Sequence, residues 1–258
     1  MSYSEIALLF SAAVVGGAIN SVAGGGGFIA FPALMFTGVP AINANATNTV
    51  ALWPGTVAST GAYRKALSAD LLKKITPLII ITVLGSLMGS LLLLKTRPAT
   101  FDRMVPWLLL SATLLFAVGG RITAWMIRRQ ENREPTRLRV ALITLAQACV
   151  AVYIGYFGAG VGIVMLALLS MMGVENIHAM NGLKTLLATF GNATAIVMFV
   201  IARAIFWPQA MLMVAGAVLG GYGGAYFAQK LSPGAVRGLV IGIGCTMTAY
   251  SFWKTWAM

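Results

Sequence analysis

Lys184 is the only lysine or arginine of this chain that falls inside a predicted membrane helix and not at the end of one. A charge held at such depth is by default part of a binding site. Asn181 lies one turn back on the same helical face, placed to orient the ammonium. Snorkelling to the interface is the competing reading, because Lys184 sits about two turns inside its helix. A second constellation precedes it by some 135 residues: Asn43-Ala-Asn-Ala-Thr-Asn-Thr49 opens another apolar helix. Capping accounts for Asn43 or Asn45 but not for the whole run, which leaves Thr47 and Asn48 as neutral donors and acceptors for a ligand. Glu175 and His178, at the turn before the helix of Lys184, are candidates for handling a proton. As cap and interface residues they need no function.

The remaining candidates are backbone. Asn20 precedes four consecutive glycines, Gly24, Gly25, Gly26 and Gly27, inside an apolar run. Each glycine costs a helix interior about 1 kcal/mol relative to Ala, so the helix must break there. A half-helix starting near Phe28 then points its positive end into the protein, and the freed amides form an anion cradle. Gly160 and Gly162, in Gly155-Tyr-Phe-Gly-Ala-Gly-Val-Gly162, mark a second break. Close helix packing is the alternative for these glycines, although packing favours four-residue spacing over four in a row. The spelling Gly-x-Gly-x-x-Ala from Gly25 to Ala30 has no βαβ context and implies no dinucleotide.

Together these groups bind and do not react. A single histidine, no nucleophile motif and no carboxylate pair at depth leave little acid, base or metal chemistry, so no enzyme, metal or cofactor is expected. Cys149 and Cys245 lack motif spacing and read as small core residues.

The elements that carry these residues are membrane helices. With 59% hydrophobic and 9% charged residues, the chain is no soluble domain, in which charged residues approach a quarter. Continuous apolar runs, without ten-residue alternation, exclude a β-barrel. The expected fold is an all-α integral membrane protein of eight transmembrane helices, near 5–37 (broken), 43–63, 72–94, 103–126, 140–173 (broken), 178–202, 208–229 and 234–256. They fall into two four-helix repeats, 1–127 and 140–258, joined by a polar cytoplasmic linker, 128–139, with the glycine-broken helix first in each. At an offset of 135 residues, Gly25, Gly27, Gly38 and Ala44 match Gly160, Gly162, Gly173 and Ala179, and Gly85 and Gly89 match Gly220 and Gly224. The glycine sets Gly85/Gly89, Gly216/Gly220/Gly224 and Gly238/Gly242 read as tight helix contacts. Four spans per unit imply parallel repeats, unless a broken segment is a re-entrant hairpin that inverts the second half.

The net charge of +12 lies in loops and reports topology, not nucleic acid. Arg64, Lys65, Lys73, Lys74, the arginines from Arg121 to Arg139, Arg203 and Lys254 are expected on the cytoplasmic side with both termini, and Lys95, Arg97, Arg103, Lys230 and Arg237 opposite.

The set Ala-Gly-Gly-Gly-Gly-Phe with Phe-Pro-Ala-Leu, Asn-Ala-Thr-Asn, Asn-Gly-Leu-Lys-Thr-Leu-Leu and the late Gly-xxx-Gly helices resembles the sulfite exporter TauE/SafE family over essentially the whole chain. The resemblance implies a multi-pass inner-membrane permease for sulfite, organosulfonates or other organic anions. It carries the site onto Gly24, Gly25, Gly26, Gly27, Thr47, Asn48, Gly160, Gly162, Asn181 and Lys184. The implied partners are a small anion and the lipid bilayer. Alternating access with export favoured by the membrane potential is the expected mechanism. An anion channel, a carboxylate permease and coupling to protons or Na⁺ stay open as alternatives.

Overall fold

The computed structural model describes residues 1–23, 25–128, 137–174, 176–228 and 233–257, and every regular element among them is helical. The α-helices are α1 (Tyr3–Ala23), α2 (Gly27–Phe36), α3 (Ala41–Ala62), α4 (Ala69–Lys95), α5 (Pro98–Arg128), α6 (Arg137–Tyr156), α7 (Val161–Met171), α8 (Ile177–Ile201), α9 (Trp207–Ala228) and α10 (Pro233–Ala257), with a 3-10 turn at Arg64–Ala66. Among the described residues α1, α4, α5 and α8 contain stretches long and apolar enough to cross a membrane, and α2, α6, α7 and α9 hold shorter apolar stretches. Gly24, Glu175 and most of the expected linker lie outside the described residues.

Both glycine-rich stretches end a helix, as their composition demands, and in both the chain then turns back. A Cβ on Gly16 would lie 3.0 Å from the carbonyl oxygen of Gly26 and 3.7 Å from Ala30 Cβ. Gly26 in turn abuts Gly16 and Asn20. As residue numbers fall along α1 they rise along α2, so α2 doubles back on α1 as a hairpin. In the second half, Val150 and Ile154 of α6 share an apolar cluster with Val161 and Met165 of α7, its 11-residue partner. The two short helices also stop alike. Gly38 (φ 79°) and Gly173 (φ 86°) take the left-handed conformation, and Val39 N–H donates to Leu34 O as Val174 N–H does to Leu169 O.

The long helices pack through small residues. A Cβ on Gly220 of α9 would collide with the backbone carbonyl of Val14 in α1, and one on Gly89 of α4 would collide with that of Val152 in α6. Gly85 and Gly155 continue the second seam against Ala151 and Ser86. Residue numbers rise together across both seams, so each pair of helices is parallel. The expected contact at Gly238 and Gly242 is absent: a Cβ at either would meet nothing within 4 Å, and α10 uses Gly244 instead, against Thr113 of α5. Cys149 and Cys245 are likewise exposed on the bundle surface, not core residues. A helix facing lipid has no need to hide a small apolar side chain.

Helices α3 and α8 run antiparallel through the middle. Tyr63 packs by Gly182, Thr60 Oγ1 lies 3.2 Å from Thr189 Oγ1, and Asn43 Nδ2 donates to Ala204 O at 2.8 Å. Helices α5 and α10 are antiparallel as well, with Trp107 edge-on to Phe252 and Thr113 against Gly244. At the end where α3 starts, a cavity of about 490 Å³ gathers Pro40 and Ala41 with Asp102, Arg103 and Lys254. Lys254, and Arg203 next to the Ala204 carbonyl that Asn43 binds, therefore share an end with Arg103, contrary to the side expected from sequence. The cause is a reversal at each break: that at α7 flips every later element, and that at α2 brings the start of α1 to this end as well. The start of α1 and the end of α10 thus both lie opposite the side expected from sequence.

Candidate functional site

The two hairpin tips meet near the centre of the bundle. Phe31 of α2 stacks edge-on against Phe157, just before α7, with ring centroids 5.5 Å apart, a contact worth about 0.5–1.5 kcal/mol beyond its buried area. On either side of this joint lies a polar cavity. The first, about 80 Å³, is lined by Gly27, Asn45, Asn48 and Thr49. The second, about 140 Å³, is lined by Gly162, Asn181, Lys184 and Thr185, with Ser59 and Tyr63 toward the bundle end. Asn20, Thr56, Gly158 and Asn192 line both.

Lys184 is placed by three features of its sequence neighbourhood. Asn176 caps α8, its side chain accepting from the backbone N–H groups of His178 and Ala179, which fixes where the helix starts and hence which face Lys184 occupies. The Lys184 stem then crosses the first turn of α7, where a Cβ on Gly162 would come within 3.3 Å of Lys184 Cδ. Its Nζ donates to Asn181 Oδ1 at 3.0 Å. Gly160, at the N-cap of α7, holds φ 75°, which only glycine adopts without strain. An anion entering here meets the ammonium together with the amide dipoles of a helix start. Among the residues lining the two cavities there is no Asp or Glu, and Lys184 is the one charged side chain.

The first cavity repeats the arrangement with neutral groups. Asn48 lies over Gly27, the first residue of α2, where a Cβ would be 3.4 Å from Asn48 Nδ2. Asn45 Nδ2 donates to Tyr156 O at 3.1 Å, tying α3 to the end of α6.

Of the residues expected from sequence, the structure gathers Asn20, Gly27 and Asn48 at one cavity, and Asn20, Gly162, Asn181 and Lys184 at the other. Others serve packing. Thr47 is fully buried with its hydroxyl accepting from Phe206 N–H at 3.1 Å, so it pins the start of α9. Gly25 lies against Val240 and Phe116, Gly26 against Gly16, and Gly160 against Ala112. His178 is exposed beside the Tyr63 ring and lines neither cavity. Gly24 and Glu175 fall outside the described residues.

Of the four residues that border both cavities, three escaped the sequence reading. Thr56 stands eight residues after Asn48, and Asn192 eight after Lys184, two turns along the same faces. That spacing was the available signal. Gly158 was hidden among its neighbouring glycines.

A family-wide sequence profile described as "Sulfite exporter TauE/SafE" matches residues 9–251. A "Probable membrane transporter protein" of Haemophilus influenzae is 29% identical over 245 residues, covering 95% of this chain and 93% of that one. "Probable membrane transporter protein YfcA" of Escherichia coli K12 is 27% identical over 247 residues, covering 95% and 88%. "Probable membrane transporter protein ORF9" of a Sinorhizobium species is 27% identical over 243 residues, covering 93% and 90%. No solved structure gives a significant match.

Proposed function

The chain belongs to the sulfite exporter TauE/SafE family, and on that premise we propose that it is a secondary transporter carrying a small sulfur-containing anion, sulfite or an organosulfonate, out across the inner membrane. One observation carries the choice of an anion: the single charged side chain lining the central cavities is the Lys184 ammonium, laid over the start of a half-helix. An oxyanion there receives a charge-assisted hydrogen bond, which is shorter and roughly twice as strong as a neutral one.

Two inverted halves supply the alternating access. In both runs of five helices, α1 to α5 and α6 to α10, the second is the short one, of 10 residues in α2 and 11 in α7. Corresponding helices α3 and α8 run antiparallel, as do α5 and α10, while the seam of α1 with α9 is answered by that of α4 with α6. This exchange of partners is what a two-fold axis in the membrane plane produces, and it supports inverted over parallel repeats. The end bearing Arg64, Lys65, Lys73, Lys74 and the arginines flanking the linker is the more basic, hence cytoplasmic. The Lys184 cavity leans toward that end, beside Tyr63. Export of a monoanion then gains about 2.3 kcal/mol per 100 mV of inside-negative potential.

The test is counterflow. Proteoliposomes preloaded with unlabelled sulfite or sulfoacetate should transiently accumulate the labelled anion against its gradient, because a carrier returns loaded. A channel of the same selectivity equilibrates without overshoot. Counterflow absent for sulfite, thiosulfate and sulfonates alike, in protein that is folded, would remove this substrate class.

A further inference from the structure

The Asn181–Lys184 pair has a neutral counterpart. Asn45 and Asn48 share its three-residue spacing, 136 residues earlier. Asn48 lies over Gly27 at the start of α2 as Lys184 lies over Gly162 near the start of α7. The difference is the charge. In the second pair, Lys184 Nζ satisfies Asn181 Oδ1 at 3.0 Å. In the first pair no ammonium is present, and Asn45 Oδ1 and Asn48 Oδ1 are both buried with no hydrogen-bond donor, on residues only 2% and 9% exposed. Turning the Asn45 amide over does not help: its Nδ2 donates to Tyr156 O, and a flip would set oxygen against oxygen. Buried polar groups are almost always paired, so two unpaired acceptors on residues that line one cavity ask for a ligand.

We propose that this cavity binds a monovalent alkali cation of sodium size, in the place that the Lys184 ammonium takes in the other half. Gly27 brings the positive end of α2 to one wall, which alone would repel a cation, and the other walls offset it. Phe157 and Gly158 bring the C-terminal end of α6, where carbonyls without helical partners and the negative end of the dipole gather. Asn20 and Thr49 add side-chain oxygens. All of these ligands are neutral oxygens, as an alkali ion accepts, whereas a divalent ion is usually held with carboxylates. The volume of about 80 Å³ admits an ion with one or two waters. The cation and the anion of the proposed transport reading, on which the ion's role but not its binding rests, are neighbours: Asn20, Thr56, Gly158 and Asn192 border both cavities. Anion flux then responds to Na⁺ as well as to potential.

Thermal unfolding of the purified full chain in NaCl, KCl and choline chloride at equal ionic strength tests the site with no transported anion present. NaCl should raise the midpoint saturably above choline chloride and above KCl. Asn45→Ala and Asn48→Ala should lose that response, and Asn48→Asp should move half-saturation to at least about tenfold lower NaCl, a gain no misfolded variant can mimic. Asn48→Lys, which tethers an ammonium in the cavity, should be indifferent to Na⁺. Equal wild-type midpoints in NaCl and choline chloride, an equal response to KCl, or a sodium response surviving both alanine variants would each overturn the proposal. Any of these leaves the counterflow result untouched, while absent counterflow with an intact sodium response sinks the transport reading alone.

Discussion

Lys184→Ala is expected to lower the initial rate of anion counterflow at sub-saturating substrate by about a hundredfold or more. Leaving one charge without its partner in a buried site costs about 3–5 kcal/mol, and each 1.4 kcal/mol is about a factor of ten. Lys184→Arg should restore only part of the rate. The lysine stem already lies close on Gly162 and its Nζ reaches Asn181 Oδ1, so a planar guanidinium has little room in that bend. The check is the concentration dependence of counterflow in proteoliposomes containing equal amounts of folded protein. Unaltered rates in the alanine variant would mean that Lys184 reaches past the cavity to the interface and that the anion is held elsewhere.

A comparably large effect, on stability, is expected of Gly220→Val. Helices α1 and α9 touch backbone to backbone there, and any Cβ would overlap the Val14 carbonyl. Relief requires the helices to part along a seam that Gly17 and Gly216 also build. Overpacking costs about 1–3 kcal/mol where side chains can shift, and backbone yields less, so the upper end or beyond is expected. Gly242→Val is the control, because a Cβ there meets nothing within 4 Å. It should stay within about 0.5 kcal/mol of wild type, as surface changes do. Unfolding midpoints in detergent compare the two variants, and similar midpoints would mean that the α1–α9 seam is looser than described.

Much of this arrangement was legible in the residues, and the part that was not has a definite cause. Four glycines in a row announce that a helix stops, but not where the chain goes next. Direction is set by what Gly26 touches, namely Gly16 in the preceding helix, and such a contact has no signature in spacing. Reading each broken stretch as one span cost the orientation of α1 and of everything beyond α7, Arg203 and Lys254 included. Lys184 and Asn48 stood out because an apolar helix has little reason to carry them. Thr47 stood out equally, yet its hydroxyl serves Phe206 across the bundle. A polar residue in an apolar helix signals an unmet partner without saying whether that partner is ligand or backbone. Glycine is ambiguous in the same way: Gly27 and Gly162 clear space for Asn48 and Lys184, while Gly25, Gly26 and Gly160 clear space for neighbouring helices.

Alternating access requires that the space between the two hairpin tips open to each side in turn. Asn192 borders both cavities, so an Asn192→Cys variant, with Cys149 and Cys245 replaced by alanine, reports it directly. Labelling by a membrane-impermeant thiol reagent would be compared in right-side-out and inverted vesicles. Labelling is expected from either face, slowed from both by the anion that gives counterflow. Labelling confined to one face whatever the substrate would contradict it.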